Sequence, residues 1–284
     1  MTDLTRDPAV PEWSEIELPE TWVDRMELHK PGFLAKLLRS LFRRSKSPRV
    51  QVPDTMPGRD RIPKYVLQEF HNLPNGNYST RITRGYVTSF DKMMLGTMGE
   101  SRQQLATDLA HCHSVLDVGC GGGQTAAVLS DNGIAEVWGV DPSPYLLMHA
   151  AGAYPHLKFV QAIAEDTGFP DQRFDGIAVN FVFHEIPPRY RKQALAELNR
   201  ILRPGGRLVI CEPDSTQLYR GWWHMLRHHG WRGVYFKFLA HSVYEPFVHS
   251  WHKEDTTAVF GASGFRILRD WRAMPVRHLV AEKV

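Results

Sequence analysis

The stretch that most limits how this chain can fold is Val115-Leu116-Asp117-Val118-Gly119-Cys120-Gly121-Gly122-Gly123-Gln124. Val115, Leu116 and Val118 read as the end of a buried parallel strand, with Asp117 near its tip. Four glycines within the next five residues let the backbone turn sharply and come close to a ligand. The run QTAAVLS then has the look of a helix start. Strand, glycine loop and helix start make a nucleotide-type cradle, with backbone N–H groups and the positive helix end expected to face the ligand.

From Ser114 onward the pattern alternates strand and helix, the mark of a doubly wound α/β sheet. Strands are expected near 114–118, 136–140, 157–161, 174–182 and 206–211, and helices near 123–131, 143–151 and 188–202. Arg203-Pro204-Gly205-Gly206 is expected to end the last of these helices. KEDTTAVFGASGF reads as a further helix, and FRILRDWR with VRHLVAEKV as a closing pair of strands.

Upstream the chain is organised by charge. Residues 1–29 are rich in Glu, Asp and Pro without apolar periodicity, which reads as an acidic flexible tail or a segment draped over the domain. Residues 30–49 invert the sign, with seven Lys and Arg and no acidic residue. Phe33, Leu34, Leu37, Leu38, Leu41 and Phe42 fall on one face of a helix there, a pattern suited to an anionic membrane surface or to packing on the domain. Residues 50–112 read as a Pro- and Gly-containing linker followed by a helical cover, with helices expected in KYVLQEF, GYVTSFDKMMLGTM and SRQQLATDLA. Residues 113–284 form the main domain.

An insertion at about 215–250, after the fifth strand, holds Trp222, Trp223, Trp231, Tyr235, Phe236, Phe238, Tyr244 and Phe247 among Arg, Lys and five His. Such a composition suits a membrane–water interface or a lipophilic pocket mouth, and equally a cap that packs its aromatics inward. His224 and His228 share a helix face, but no Cys or acidic neighbour completes a metal site, so none is expected.

The remaining composition sets bounds. The chain has 284 residues, 43% apolar and 23% charged, as in ordinary globular proteins. A net charge of +3 implies no partner by itself, and no aromatic-basic groove accompanies the basic segment, so nucleic acid is not expected. Cys112, Cys120 and Cys211 lack disulfide or zinc spacing, which fits a reducing cytoplasm. Neither a membrane span nor a signal peptide is expected.

Asp141, in Gly139-Val140-Asp141-Pro142, ends the second strand 24 residues after Asp117, where a carboxylate can accept from both hydroxyls of a ribose. A nicotinamide dinucleotide and S-adenosylmethionine both satisfy that plan. The spacing of the glycines separates them: Gly-x-Gly-x-x-Gly is not cleanly present, whereas Asp117, Gly119, Gly121 and Gly123 form Asp-x-Gly-x-Gly-x-Gly.

That motif resembles the first motif of class I S-adenosylmethionine-dependent methyltransferases. GVDPSP, FPDQRFDGIAVNFVFHEI and ILRPGGRLVICEP resemble their later motifs in order and spacing. Within the class the chain looks most like the small-molecule branch containing ubiquinone, menaquinone and related lipid methyltransferases. The resemblance implies a Rossmann-like sheet of seven strands, mostly parallel with the last antiparallel, under an N-terminal helical cover.

It also implies roles. Gly119, Gly121 and Gly123 would approach the cofactor, Asp117 would help orient its amino group, and Asp141 with Pro142 would hold the ribose. Asn180 falls where the family offers contacts to the amino group, and Tyr86 is a candidate for the carboxylate end. The family's adenine-binding carboxylate is replaced here by Ile163, leaving Ala164, Glu165 or Asp166 to hold the adenine. His184 and Glu185, after the fourth strand, are the candidates for a base or acceptor-positioning group, with Glu212 behind them. The alternative for His184 is a loop-capping role, and for Glu185 a salt bridge to Arg189 or Arg191. The expected activity is in-line methyl transfer to a small, lipophilic acceptor, with membrane contact through residues 32–46 and 220–238, placing the protein in the cytoplasm or peripherally on the inner membrane face. The alternatives are a non-catalytic cofactor-binding scaffold and a nicotinamide-dependent oxidoreductase.

Overall fold

The computed structural model describes residues 5–26 and 50–284. The basic amphipathic segment expected over 30–49 lies outside the described residues.

The centre is a seven-stranded sheet in the order β3-β2-β1-β4-β5-β7-β6. Its strands are β1 (Ser114–Val118), β2 (Glu136–Asp141), β3 (Lys158–Gln161), β4 (Phe174–Asn180), β5 (Leu202–Pro213), β6 (Phe265–Ala273) and β7 (Val276–Lys283). The first five pair in parallel, and β7 runs antiparallel to both β5 and β6. All of β1 is buried, as a parallel strand covered on both faces must be. Because β1 sits between β2 and β4, the chain reverses its winding there, and a crevice opens beyond the carboxyl ends of these strands.

Two helices of the cover, α1 (Thr80–Met93) and α2 (Thr97–Asp108), precede the sheet. Around it lie α3 (Gln124–Asp131), α4 (Pro144–Ala153), α5 (Pro188–Ile201), α6 (Thr216–Tyr219), α7 (Trp222–Ser242), α8 (Val248–Lys253) and α9 (Thr256–Ala262). Local chemistry starts several of them. Ser79 and Ser143 accept hydrogen bonds from Ile82 N and Leu146 N at the starts of α1 and α4, and Asp255 does so for α9. Pro144 and Pro188 occupy first-turn positions, where their missing N–H is no loss.

Several expectations are corrected. Residues 64–70 form turns rather than a helix, because the segment is drawn onto Val50, whose N–H donates to Leu67 O. Residues 50–63 are packed rather than a free linker, with Val50, Met56 and Ile62 buried beside Tyr78 and Tyr145. Over 5–26 the acidic segment is draped and anchored: Trp13 is buried with its indole N–H on Phe159 O, and Asp7 pairs with Arg173. At the end of α5 the capping residue is Leu202 in extended conformation rather than a glycine; the ladder with β4 then skips from Leu202 to Arg207.

The insertion comprises α6 to α8. Gly230 breaks α7 with φ 61 and ψ −154. One side of α7 buries Met225 and Phe236, the latter against Met94 and Met98 of the cover. The other side exposes Trp222, Trp223, Leu226, Trp231 and Phe238, with Trp223 72% exposed. Among the described residues no helix is long and apolar enough to cross a membrane.

Candidate active site

The crevice holds a cavity of about 170 Å³ between the glycine loop, the tips of β2 and β4, and the helical cover. Gly119, Gly121, Asp141, Pro142, Ala164, Asn180, Tyr86 and Glu185 all line it. Asp117, Gly123, Glu165 and His184 do not, so the fold separates the expected site residues into a lining and a support behind it.

Backbone constraints shape the loop first. Gly119 has φ 68, and a Cβ there would collide with Val182. Gly121 has φ 53 and nothing within 4 Å of where a Cβ would stand, so it leaves open space beside the cavity. Its N–H donates to Asp141 Oδ2 at 3.0 Å, while Ser143 N–H donates to Asp141 Oδ1 at 2.8 Å.

Contrary to the expected N–H cradle, the loop spends much of its donor capacity internally. Gly119 and Cys120 both donate to Val140 O, Gly123 donates to Cys120 O, and Ala126 donates to Asp117 Oδ2 at 3.0 Å. Asp117 therefore ties the start of α3 to β1 instead of facing the cavity, and its Oδ1 is buried without a partner. Burial pushes its carboxyl up to about 8, and that of Asp141 up to about 7.

On the opposite wall, Ala162, Ile163 and Ala164 present an apolar surface. The Glu165 carboxyl is turned to Tyr65, whose hydroxyl donates to Oε1 at 2.5 Å, and Oε2 is buried without a partner. Asn180 donates to Thr125 Oγ1 at 3.0 Å, leaving its Oδ1 buried and unpartnered. Arg102, which the sequence did not single out, is buried, lines the cavity and makes a two-pronged pair with Asp91.

Beyond the loop of β4 the cavity meets a buried ionic cluster. His184 is fully buried, with Nδ1 at 2.6 Å from Glu212 Oε2. Glu212 also accepts the N–H groups of Val182, Phe183 and His184, and so fixes that loop. Burial works to lower the His184 pKa, but Glu212 outweighs it and the imidazole is pushed up to about 9. Glu185 faces the cavity and lies 3.2 Å from His71 Nε2, with burial raising its pKa. The expected pairing with Arg189 or Arg191 does not form. Arg191 instead pairs with Glu254 and donates to Phe183 O and Ile186 O, holding the loop from beneath.

Besides Arg102, sequence reasoning missed His71 and Glu245. His71 sits in irregular backbone with φ 55, and no motif surrounds it. Its ring stacks on Tyr86 at 5.8 Å. The histidines His224 and His228 lie together on α7, with ring centroids 4.3 Å apart, and are not part of the cluster of mixed ligands formed by His71, His184 and Glu185.

Residues 116–210 match the family model described as a methyltransferase domain. Over 108 residues the chain is 38% identical to an uncharacterized methyltransferase of Synechocystis, spanning 38% of this chain and 50% of that one. It is 35% identical over 99 residues to a demethylmenaquinone methyltransferase of Chlorobaculum parvum, spanning 35% of this chain and 40% of the relative. Thus it spans about half or less of the curated relatives it matches. A crystal structure of a SAM dependent methyltransferase from Aquifex aeolicus aligns with 61% of this chain and 82% of its own, at 20% identity and a TM-score of 0.45. Residues 116–210, about a third of the chain, thus form a stretch similar to methyltransferase domains, within a sheet of the order β3-β2-β1-β4-β5-β7-β6.

Proposed function

We propose that this protein transfers a methyl group from S-adenosylmethionine to a small lipophilic acceptor bound under the helical cover. The observation that carries the donor assignment is the chemistry of the glycine loop. A pyrophosphate needs free N–H groups and a positive helix end. Here several of those N–H groups are committed internally, and the carboxyl group of Asp141 stands on the cavity side of the loop. Such a site disfavours a dinucleotide and suits a cationic cofactor whose ribose hydroxyls donate to Asp141.

The other lining residues fit the same ligand. Asn180 Oδ1 is a buried acceptor without a partner, suited to an ammonium, and Arg102, paired with Asp91 through its terminal nitrogens, keeps a buried Nε without a partner, a donor suited to a carboxylate. Tyr86 also lines the cavity. Ile163 and Ala164 offer apolar contact to an adenine, with Glu165 held back by Tyr65. When bound, the cofactor supplies a methyl group already activated on a sulfonium, so the protein's task is alignment and exclusion of water.

The acceptor side is aromatic, lined by Tyr65, Phe70, Tyr78, Phe90 and Phe181, with Glu185 as its polar pole. An acceptor that must shed a proton would deliver it to Glu185 Oε as the new bond to the methyl carbon forms. His184 is a positioning residue behind it, held by Glu212. The relatives named as demethylmenaquinone methyltransferases favour a quinone- or phenol-like acceptor.

A membrane contact completes this reading, with the protein peripheral on the inner face of the membrane. It is supported by the basic amphipathic pattern of residues 32–46 and by Trp222, Trp223, Trp231 and Phe238 exposed beside Arg220, Arg227 and Arg232.

The decisive experiment combines calorimetric titration with S-adenosylmethionine and S-adenosylhomocysteine with a methyl-labelling assay on a total lipid and metabolite extract. Binding of both cofactor forms and label in a lipophilic product are expected. Binding without any labelled product favours the scaffold reading, and binding of a reduced dinucleotide in their place overturns the donor assignment.

A further inference from the structure

The ionic cluster beside the cavity has more order than a proton relay requires. Three side chains of metal-ligating type, His71, His184 and Glu185, converge there, and Glu245 approaches both imidazoles, so that three parts of the chain meet. His71 Nε2 lies 3.2 Å from Glu185 Oε1 and 3.5 Å from Glu245 Oε1, and His184 Nε2 lies 3.7 Å from the same Glu245 oxygen. Ligand atoms of His71, His184 and Glu185 all fall within 4.8 Å of one another. For metal–ligand bonds of about 2.1 Å, tetrahedral ligands stand about 3.4 Å apart. The His71–Glu185, His71–Glu245 and His184–Glu245 separations bracket that edge.

The state of His184 is the second, independent observation. Its Nδ1 is engaged by Glu212, the partner that fixes a metal-binding imidazole with its other nitrogen free for the ion. That other nitrogen, Nε2, is fully buried and has no hydrogen-bond partner. It is aimed at the cluster but stands too far from Glu245 for a hydrogen bond.

Charge gives the third argument. Glu212 is satisfied by three backbone N–H groups and His184, which leaves Glu185 and Glu245 as the carboxylates at the convergence point. One divalent cation balances those two charges, and its binding displaces the imidazole protons to leave the neutral rings that bind metals.

The positions of the ligands are also held in advance. His71 N–H donates to Tyr244 O and Asn72 Nδ2 donates to Ser242 O, so the end of the aromatic insertion carries Glu245 and pins the His71 loop together. His71 adopts φ 55, a conformation that costs a non-glycine residue energy and that such contacts must enforce.

We propose that His71, His184, Glu185 and Glu245 form a site for one divalent transition-metal ion of the zinc class at the wall of the acceptor cavity. Two imidazoles with carboxylates suit zinc, iron(II), manganese or cobalt rather than calcium or magnesium. Because Glu185 lines the cavity, the ion supplies a Lewis acid beside the acceptor. That consequence, unlike the binding itself, rests on the methyltransferase reading above.

The test is titration of the chelator-treated full chain with Co²⁺, followed by its visible absorption, and with Zn²⁺ by competition. One equivalent per chain is expected, with the intense visible bands of a tetrahedral or five-coordinate cobalt site. His71→Ala and Glu245→Gln should each weaken binding at least tenfold, and Glu212→Gln by a similar factor through His184. His224→Ala/His228→Ala should leave the spectrum unchanged. The proposal is overturned if Co²⁺ gives only the weak pink spectrum of a hexa-aqua-like surface ion. It is equally overturned if His71→Ala binds as wild type, or if the signal disappears with the His224/His228 pair. Near-ultraviolet circular dichroism of each variant separates a lost site from a lost fold. Cofactor binding, measured by calorimetry on the same metal-free sample, decides the methyltransferase reading independently.

Discussion

The two ends of the cavity are built in different ways. At one end, Gly119, Gly121 and Asp141 stand on a single β-α-β unit, and the loop is held by hydrogen bonds within that unit. At the other, His71, His184, Glu185 and Glu245 come from the cover, the β4 loop and the aromatic insertion, and are held by contacts between those segments. The first end is short-range in sequence and depends on backbone shape. The second is long-range and depends on side-chain chemistry. Under the proposed methyl transfer, a common donor and a variable acceptor would call for this division: one end can stay constant while loops exchange the other.

The comparison is broken most severely at the glycine loop. Gly121→Val places a branched side chain in the open space beside the cavity at φ 53. Its affinity for S-adenosylhomocysteine should fall by about 100-fold or more, read by calorimetry. If binding persists, the loop does not hold the cofactor. At the other end, Glu185→Gln should lower methyl-transfer kcat by about 100-fold while leaving cofactor affinity within about twofold. Equal losses in both quantities would merge the two ends into one.

Asp141 ties the cofactor end to pH. Its carboxyl is pushed up to about 7 by burial, and only the ionised form is acceptor-only toward ribose hydroxyls. Cofactor affinity should therefore fall about tenfold as the pH drops from about 8 to about 6, a dependence that Asp141→Asn abolishes at the cost of affinity.

Asp117 makes a smaller, structural prediction. Its pKa is raised from 3.8 to about 8, so the folded chain binds a proton that the unfolded chain releases above about pH 4. Its contribution to stability is thus fully present below that pH and is lost as pH rises through about 8. Asp117→Asn keeps an acceptor for Ala126 N–H and removes the titration. Denaturant midpoints of the variant should flatten between pH 6 and pH 8 relative to wild type, by about 1–2 kcal/mol at the upper end. A parallel pH profile in both proteins would refute this.

The least expected effect lies on the surface. Trp223→Ala/Trp231→Ala removes two exposed indoles and should reduce flotation with anionic liposomes by about tenfold, without change in thermal midpoint. Unaltered flotation, or none in the wild type, removes the insertion from the membrane proposal.

What the chain order revealed was governed by local rules. A buried parallel strand needs a continuous apolar run, a tight turn needs glycine, and a helix start is often marked by Ser, Asp or Pro; β1, the Gly119–Gly123 turn and the Ser143-Pro144 start of α4 follow these rules in turn. That sufficed to locate Gly119, Gly121 and Asp141, and to put His184 and Glu185 at the carboxyl edge of the sheet. Where tertiary packing overrode local preference, the pattern misled. KYVLQEF has helical spacing, yet it is held in turns on Val50, and this carries Tyr65 to Glu165. Asp117 stood at the expected strand tip, but its side chain turned to the helix start, because a buried N–H must find an acceptor.

Sequence alone thus determined the sheet and the glycine loop, because each follows from the geometry of neighbouring residues. Only the tertiary structure decided which side chains face the cavity, and it alone brought His71 and Glu245 to His184 and Glu185. His71 and His184 are 113 positions apart in the chain. Their meeting depends on where the sheet places the β4 loop and where the cover and insertion cross it, and no local periodicity encodes that.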